Sequence, residues 1–282
     1  MMKRYDNMKE LTTKEIQETS LDILKDVHEF CVRNGIRYTL AYGTMIGAIR
    51  HKGFIPWDDD LDIMMPRPDY ERFCSTYTSP RYKVVCKENR KDCLIAFGRV
   101  CDTEKTCISS FLPWIRSSEG LGVWIDIFPL DAVNGDMESL TATYDTLHRL
   151  FDGSKKARRS LRPLSREKSL SYNINTLKKR LFGLFSRKPE SYTDQIISIA
   201  SRLPYGSTSY VAQLAMPGIV AAYDSAQVES FHLTPFEDAE FFIADGYDSM
   251  LRKVYGDYMK LPPEDERVPQ QDYIHFYWRT NR

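Results

Sequence analysis

The sequence predicts an α/β protein in which helices flank a mixed β-sheet. Helical and strand periodicities alternate up to residue 131, whereas the pattern that follows Met137 is helical. The 282 residues fit one large domain, long enough to bury its core without disulfides or a structural metal. Hydrophobic residues make up 42% of the chain and charged residues 28%, which is ordinary for a globular protein.

The first predicted element is a helix that begins at a capping box formed by Thr12 and Glu15. Apolar residues then recur at helical spacing until Gly35, which ends the helix. Alternating apolar residues predict a half-buried strand over 36–42, with Tyr42 on its buried face. The elements predicted next are a helix over 44–50, a strand over 61–66, a helix over 68–77, and strands over 82–86, 94–101 and 122–128.

The chain divides into three predicted parts. Residues 1–131 form the core, residues 132–227 form a helical insertion, and residues 228–282 complete the core. The elements predicted in the last part are a strand near 228–233, a strand and turn within 236–243 and a helix over 247–256, with regular structure ending at 262–269.

Charge is unevenly distributed along the chain, although Lys plus Arg and Asp plus Glu both total 39. The segment 154–188 holds twelve basic residues and one acid, Glu167, and so carries a charge of +11. Because the net charge is zero, the protein as a whole has no electrostatic preference for nucleic acid or membrane. A nucleic-acid or membrane partner would therefore have to contact the basic segment.

The cysteines and the apolar content favour a cytoplasmic protein. Six cysteines show neither a CxxC pair nor zinc spacing, which predicts buried, reduced thiols and leaves a zinc site of three or four of them as an alternative. The N-terminal residues lack the apolar stretch of a signal peptide, and no run approaches the roughly 18 apolar residues of a membrane-spanning helix. We therefore expect the protein in the cytosol or on the cytosolic face of a membrane.

The most informative stretch, residues 43–65, contains a run of aspartates fused to a buried strand. Asp60 and Asp62 lie two residues apart on the predicted strand, so both side chains leave the same face of the sheet. Two parallel carboxylates repel each other unless a cation lies between them, and oxygen ligands suit Mg²⁺ or Mn²⁺. Asp58 has the same parity and is a candidate third ligand or water holder, whereas Asp59 faces away.

Two alternatives to a metal site conflict with the residues around the aspartate run. A solvated charge run conflicts with the buried strand that follows it, and an EF-hand loop would need a glycine at the sixth position. A glycosyltransferase DxD motif and a fold that has lost its metal remain open.

Two flanking features extend the candidate site. Gly43 and Thr44 follow a strand and open a helix, where backbone N–H groups bind phosphate. Asp126 lies between two isoleucines, and a buried acid needs a partner. That partner is either a metal shared with Asp60 and Asp62, or backbone donors or an arginine.

The stretch YGTMIGAIRHKGFIPWDDDLDI resembles the signature of the LicD family, and the order of its parts resembles polymerase-β-type nucleotidyltransferases. Residues 125–131 and 236–263 are similar to further segments of that family. The resemblance implies a nucleotidyltransferase-like fold with 1–131 as its catalytic core. It also implies transfer of a phosphorylated alcohol, best known as phosphocholine, from its CDP conjugate to a sugar hydroxyl. Fukutin-type ribitol-phosphate transferases are similar at a greater distance.

By this resemblance, Asp60 and Asp62 are metal ligands and Asp126 is the third carboxylate. Gly43 and Thr44 would face the phosphates of the donor. Two metals, Mg²⁺ or Mn²⁺, would align the reacting groups and neutralise the phosphoryl oxygens, with Asp60 and Asp62 as bridging ligands. Asp126 would bind the metal on the attacking side and take the proton of the acceptor hydroxyl.

The candidates for binding the diphosphate are the basic residues Arg50, His51 and Arg99. Arg99 stands where the family favours a lysine, but an arginine also binds phosphate and does so bidentately. His51 is equally suited to a hydrogen bond with the acidic loop. Trp57 either stacks on cytosine or a quaternary ammonium, or packs beneath the loop.

Three functions are consistent with these residues. The first is a metal-dependent transferase that uses CDP-choline or a similar CDP-alcohol, acts on a cell-surface glycan or its lipid-linked precursor, and releases CMP. The second is a nucleotidyltransferase that adds NMP to a small hydroxylated molecule and releases pyrophosphate. The third is a non-enzymatic module that binds nucleic acid or a membrane through the segment 154–188. We favour the first, with no nucleic-acid partner.

A basic amphipathic helix is predicted within the segment 154–188. Basic residues, Lys178 to Arg180 among them, flank an apolar stripe formed by Ile174, Leu177, Leu181 and Leu184. This pattern predicts contact with an anionic membrane surface. The alternatives are a stripe that packs on the core, an RNA-binding patch and a disordered basic loop.

Overall fold

The computed structural model describes residues 8–108, 112, 115, 120–159, 169–184, 187–218, 220–268 and 274–280. Within this part of the chain, helices flank a mixed sheet, and two two-stranded sheets complete the fold. The helices are α1 (Thr13–Asn34), α2 (Tyr42–Arg50), α3 (Arg67–Thr76), α4 (Met137–Arg159), α5 (Leu170–Leu184), α6 (Pro189–Ala200), α7 (Ser225–Glu229) and α8 (Tyr247–Tyr255). The strands are β1 (Thr39–Leu40), β2 (Asp62–Pro66), β3 (Tyr82–Val85), β4 (Gly98–Asp102), β5 (Thr106–Ile108), β6 (Trp124–Val133), β7 (Tyr210–Ala212), β8 (Tyr223–Asp224), β9 (Phe231–Phe236), β10 (Ala239–Ala244) and β11 (Phe276–Trp278).

The N-terminal helix begins and ends as its sequence predicts. Thr12 Oγ1 accepts a hydrogen bond from the Glu15 backbone N–H at 3.3 Å, and the Thr12 N–H donates to the Glu15 carboxylate at 2.9 Å. Gly35 then adopts a left-handed φ of 58°, which ends α1. The buried face of α1, which includes Ile23 and Val27, packs against β6.

The main sheet has β6 at its centre. The strand order is β1–β2–β6–β4–β3, in which β2 runs parallel to β6 and the other neighbours are antiparallel. All ten residues of β6 are buried, which explains the long apolar run in this part of the sequence. The C-terminal end of β6 pairs with β7, which in turn pairs with β8, so two strands from the segment 132–227 join the sheet.

A buried ion pair connects the start of α3 to the sheet. The Arg67 guanidinium donates to both carboxylate oxygens of Asp131, each at 2.7 Å, and neither side chain is more than 7% exposed. Loss of either partner would leave an uncompensated buried charge. The pair therefore fixes α3 at the end of β2, directly after the acidic stretch.

The predicted strand over 36–42 is too long at both ends. β1 contains only Thr39 and Leu40, and α2 begins at Tyr42. The strand ends early because Tyr42 adopts a left-handed φ of 44°, which turns the chain into the helix. Tyr42 is consequently half-buried and lines a cavity, instead of lying wholly in the core.

Two strands of the main sheet have boundaries that differ from the prediction. β4 begins at Gly98, not at residue 94, because the apolar residues 94–97 are buried without joining the sheet. The strand predicted over 122–128 runs from Trp124 to Val133. Its extension is possible because the parallel ladder with β2 continues past Pro129, so this proline does not end the strand as prolines often do.

The C-terminal part contains two further differences. The strand predicted near 228–233 is the helix α7 followed by β9, because the Asp224 side chain accepts the Ala226 N–H and caps a helix there. Regular structure does not end at 262–269, since β11 returns to pair with β5. In the described residues, no helix combines the length and apolarity that are needed to cross a bilayer.

Candidate active site

A cavity of about 800 Å³ is bounded by residues of α2, β2, β6 and α8. One side of it is acidic and contains all four predicted aspartates, Asp58, Asp60, Asp62 and Asp126. Two other predicted residues, Gly43 and Arg50, also line it. Three predicted residues do not line it, namely Thr44, His51 and Arg99. The fold thus assembles the acids from two strands and a loop into one surface.

Strand register places Asp62 and Asp126 side by side. Parallel β2 and β6 pair Asp62 with Asp126, and antiparallel β4 pairs Arg99 with Asp126. Paired residues on neighbouring strands point to the same face, so these three side chains share one surface of the sheet. Asp60 lies just before β2, not on the strand as predicted, because the ladder begins only at Asp62; it nevertheless lines the same cavity.

The carboxylates lie in a poorly solvated environment of like charge. Burial, followed by the charge of Asp60, raises the pKa of Asp58 to about 8. Burial also raises the pKa of Asp62 well above its usual range, and the charges of Asp60 and Asp126 add to the effect. Burial raises the pKa of Asp126 as well, although the Arg99 guanidinium opposes this. A bound cation would favour the ionised form of each acid.

Asp126 is paired with Arg99. Arg99 Nε lies 2.5 Å from Asp126 Oδ1, and Arg99 Nη2 lies 3.1 Å from Oδ2. The guanidinium carbon also lies 4.5 Å from the centroid of the Trp124 ring. An arginine was one of the two kinds of partner predicted for Asp126, and the structure contains it. The predicted contact of Arg99 with a diphosphate stays a prediction.

The donor chemistry of the aspartates fits a divalent cation. Asp58 Oδ1 is buried and has no hydrogen-bond partner among the described residues. Gly43 leaves room for the other oxygen, because a Cβ at this position would lie 2.6 Å from Asp58 Oδ2. Carboxylate oxygens are the ligands that Mg²⁺ and Mn²⁺ prefer. In the described structure no three aspartates bring ligand oxygens within 4.8 Å of one another, so joint binding requires their side chains to converge.

One group of three ligand atoms does converge in the described chain, and it belongs to Cys74, Cys86 and Glu88. All six cysteines are buried, reduced thiols, as the sequence predicts. Burial raises the pKa of Cys74 well above its usual range, and the neighbouring Cys86 adds to the effect. A structural zinc site has four ligands, so these three atoms would need a fourth, and the zinc alternative stays a hypothesis.

Thr44 positions the first residue of β2. Its Oγ1 accepts a hydrogen bond from the Asp62 N–H at 2.8 Å, and its side chain is buried. The start of α2 is thereby connected to the acidic end of the strand. The contact of Thr44 with phosphate that the sequence predicts stays a prediction.

Arg50 lies at the edge of the cavity. Its Nη1 donates to the Tyr258 carbonyl at 2.7 Å, and its Nε donates to His51 Nε2 at 2.9 Å. Burial and the charge of Arg50 lower the pKa of His51, which favours the neutral ring that this hydrogen bond requires. The His51 ring also meets the Trp57 ring at a centroid distance of 6.5 Å. Within the described chain, these contacts direct His51 to Arg50 and Trp57 and not to the carboxylates of the acidic loop.

Apart from Trp57, which also lines the cavity, its aromatic side was not predicted from the sequence. Its rings come from distant parts of the chain and include Tyr42, Phe128, Tyr144, Tyr223, Tyr255 and Tyr258. The sequence signal was weak, since a tyrosine directly before Gly43 looks like the end of an alternating strand. Tyr144 and Tyr223 lie in the stretch 132–235, which carries no recognisable motif.

A mixed sheet that presents acids beside a glycine-containing helix start defines a nucleotidyltransferase-like domain. The model of the LicD/FKTN/FKRP nucleotidyltransferase domain matches residues 35–175. Lipopolysaccharide cholinephosphotransferase LicD of Haemophilus influenzae is 30% identical over 280 residues, which is 95% of this chain and the full length of that protein. The chain belongs to the LicD family, and the predicted fold class is confirmed.

Shorter similarities connect the chain to two rickettsial proteins. An uncharacterized protein of Rickettsia prowazekii is 38% identical over 85 residues, covering 27% of this chain and 31% of that protein. An uncharacterized protein of Rickettsia typhi is 47% identical over 51 residues, covering 18% and 16% of the two chains.

Proposed function

We propose that the protein transfers phosphocholine from CDP-choline to a sugar hydroxyl of a cell-surface glycan or its lipid-linked precursor, and releases CMP. The observation that carries this proposal is the cavity of about 800 Å³ with four aspartates on one side. That volume suits a nucleotide-sized ligand. Support also comes from the Haemophilus influenzae relative, a lipopolysaccharide cholinephosphotransferase that aligns over its full length.

In this proposal Asp60, Asp62 and Asp126, with Asp58 as a further ligand, hold Mg²⁺ or Mn²⁺. The metal supplies positive charge to the phosphoryl oxygens and lowers the pKa of the acceptor hydroxyl. Gly43 keeps the start of α2 free of a side chain on the side of Asp58. Arg50 places a guanidinium at the edge of the cavity, where it can contact phosphate oxygens.

The reaction is a displacement at phosphorus. The bond from the phosphocholine phosphorus to the oxygen shared with CMP breaks, and a bond from that phosphorus to the acceptor oxygen forms. CMP leaves with the electron pair, and Asp126 takes the proton of the acceptor hydroxyl. Asp126 is buried, and the Arg99 guanidinium opposes the rise in its pKa that burial causes. Arg99 keeps it oriented through two hydrogen bonds.

The test is incubation with CDP-choline, CDP-ethanolamine, CDP-glycerol or CDP-ribitol, together with a saccharide acceptor and Mg²⁺ or Mn²⁺. Release of CMP that requires both metal and acceptor would support the proposal. Asp62→Asn should abolish it, whereas Asp152→Asn, an exposed charge on α4, should not. Pyrophosphate release from a nucleoside triphosphate would support the alternative nucleotidyltransferase, and no CMP from any donor would overturn the proposal.

The same proposal places α5 at the cytosolic face of the membrane that carries a lipid-linked acceptor. Its apolar side chains are 46–76% exposed, and they belong to Leu170, Ile174, Leu177 and Leu181. The alternative in which this stripe packs on the core is therefore wrong for these residues, and the helix contradicts the disordered-loop alternative for Leu170–Leu184. The Leu184 side chain lies outside the described residues.

Basic residues flank this stripe on both sides. At 3.6 residues per turn, Lys178 and Arg180 project about 70–90° to either side of the stripe. Thr176 is buried and lies about 130° away from it, so α5 contacts the rest of the protein on another face. Lysine and arginine stems in this position reach lipid headgroups while the leucines enter the interface. This charge pattern favours an anionic leaflet over RNA, which offers no apolar phase to the stripe.

Sedimentation with vesicles that contain anionic lipid tests this surface. Binding should fall at 0.5 M salt and disappear when Lys178, Lys179 and Arg180 are replaced by Glu. A matched control replaces Lys14, Lys83 and Arg202, which are exposed outside α5, by Glu. An equal loss of vesicle binding in both triple variants would contradict a membrane role for α5. So would the absence of vesicle binding by the wild-type protein at low salt.

A further inference from the structure

The cavity wall beside the aspartates carries two accessible tyrosine rings. Tyr42 is half-buried and Tyr255 is 44% exposed, and both line the cavity. Tyr144 and Tyr223 also line it but are only 2% and 5% exposed. Tyr42 and Tyr255 therefore present ring surface to a ligand, while Tyr144 and Tyr223 support them from the interior.

Both accessible rings lie close to the same carboxylate. Burial raises the pKa of Tyr42, and the charge of Asp62 contributes together with that of Tyr223. Partial burial raises the pKa of Tyr255, with contributions from the charges of Asp62 and Asp58. Both rings therefore lie beside the acidic side of the cavity. The acids that line the cavity also outnumber its basic residues, Arg50 and Lys260.

The backbone holds Tyr42 in an unusual conformation. Its φ of 44° is left-handed, which is uncommon for a residue other than glycine, asparagine or aspartate. Its ring packs edge-on against Phe128, at a centroid distance of 5.6 Å. Strained residues of this kind cluster at ligand sites, where the surroundings hold a side chain in a required place. Here the strain fixes a ring one residue before Gly43, the position that accommodates Asp58.

Trp57, the aromatic residue that the sequence offered for binding a cation, is already engaged. The Arg267 guanidinium lies 5.5 Å from the centroid of its ring, and His51 packs against it. A second cation on this ring would meet the charge of Arg267. The cavity wall that Tyr42 and Tyr255 form (the tyrosine wall), in contrast, adjoins the acidic side of the cavity.

We infer that the rings of Tyr42 and Tyr255 form a subsite for the quaternary ammonium group of the donor alcohol, beside the acidic side of the cavity. This inference rests on the proposed function. A trimethylammonium group has no N–H to donate, so ring faces attract it while hydrogen bonds cannot hold it. Four bonds of about 1.5 Å separate its nitrogen from the transferred phosphorus, which puts it about 5 Å from the metal-bound phosphate. The subsite must therefore adjoin the acids, as the tyrosine wall does.

The wild-type protein provides a first test that needs no variant. With Mg²⁺ present, CDP-choline should bind at least about tenfold more tightly than CDP-3,3-dimethylbutanol, an uncharged donor of the same shape. Tetramethylammonium should compete with CDP-choline but not with CDP-glycerol. Equal affinity for the charged and uncharged donors would overturn the subsite.

Single substitutions test whether the rings of Tyr42 and Tyr255 bind the ammonium group. Tyr42→Leu and Tyr255→Leu should each weaken CDP-choline binding about fivefold to tenfold, because one cation–π contact is lost. The matched Phe variants keep the ring and should remain within about twofold of wild type. Tyr210→Leu, an exposed tyrosine outside the cavity, is the control. Affinity for CDP-glycerol should change little in all of these variants. The ratio of the affinity for CDP-choline to the affinity for CDP-glycerol should therefore fall only in the two Leu variants.

The outcomes separate this inference from the proposed function. Suppose that no CDP-alcohol releases CMP, but the wild-type protein binds tetramethylammonium and the Leu variants do not. The proposed transfer then fails and the ammonium subsite stands. If CDP-choline is turned over while Tyr42→Leu and Tyr255→Leu weaken CDP-choline and CDP-glycerol equally, the transfer stands and the subsite is wrong. Thermal denaturation of each variant establishes that the fold is retained.

Discussion

Replacement of Asp58 by asparagine should stabilise the metal-free protein, and by an amount that depends on pH. Asp58 is 8% exposed, and its Oδ1 accepts no hydrogen bond from the described chain. Asparagine has nearly the same shape, so the space that Gly43 leaves remains filled. What changes is the charge, which in the wild-type protein is buried next to Asp60. The substitution therefore isolates the electrostatic cost of this carboxylate.

The size of the effect follows from the pKa of about 8 for Asp58 in the folded protein. An unfolded chain ionises this group near pH 3.9, so between about pH 4 and pH 8 the folded state binds more protons than the unfolded state. Wild-type stability therefore falls as the pH rises through this window, by up to about 1.4 kcal/mol per pH unit. The asparagine variant lacks this loss. Its free energy of unfolding should therefore exceed that of the wild type by about 4 kcal/mol at pH 7 and by almost nothing at pH 4.

Urea denaturation in EDTA, at intervals from pH 4 to pH 8, measures the difference. Asp152→Asn, which removes an exposed charge, should follow the wild-type curve. Added Mg²⁺ should stabilise the wild-type protein more than Asp58→Asn and so reduce the gap, if Asp58 contributes to metal binding. A difference in the free energy of unfolding that is constant with pH would refute this account of the acidic cluster. So would an Asp58→Asn variant that is less stable than the wild type at pH 7.

Three further substitutions test individual contacts. Thr44→Val removes the acceptor of the Asp62 N–H and should cost about 1–3 kcal/mol in urea denaturation and lower activity, whereas Thr44→Ser should retain both. Asp131→Ala leaves Arg67 buried without its partner and should cost about 3–5 kcal/mol; a loss below 1 kcal/mol would contradict a fixing role for the pair. Arg158→Met should raise the melting temperature, because it replaces a poorly compensated buried charge by an apolar side chain. Arg158 is 6% exposed, and its Nε has no hydrogen-bond partner in the described chain. Burial also lowers the pKa of Arg158 to about 10. A lower melting temperature would show that the Arg158 guanidinium stabilises the fold.

Much of the acidic side of the site was predictable because strand geometry is local. Side chains two residues apart leave an extended chain on the same side, so Asp58, Asp60 and Asp62 share the cavity even though β2 begins only at Asp62. Asp59 does not line the cavity, as the same parity predicts. The capping box at Thr12 was predictable for the same reason, since its two partners are three residues apart.

Errors arose where a distant contact overrode the local pattern. The alternation over 36–42 is typical of a strand, yet Tyr42 adopts a left-handed φ of 44° and turns the chain into α2 directly after the Ala41 N–H bonds to the Asp62 carbonyl. β11 was missed because its pairing with β5 joins segments far apart in sequence. Local propensity carries no information about such partners.

The sequence by itself determined the family, the α/β class and the parity of the acidic run, because these depend on short stretches of chain. Only the tertiary structure decided that Asp126 lies beside Asp62 and is held by Arg99, since that depends on the register of three strands. It alone also brought Tyr42 and Tyr255 to one cavity from opposite ends of the chain. The physical reason is that a binding site depends on distances in space, and a folded chain sets those distances by packing and strand pairing across long separations.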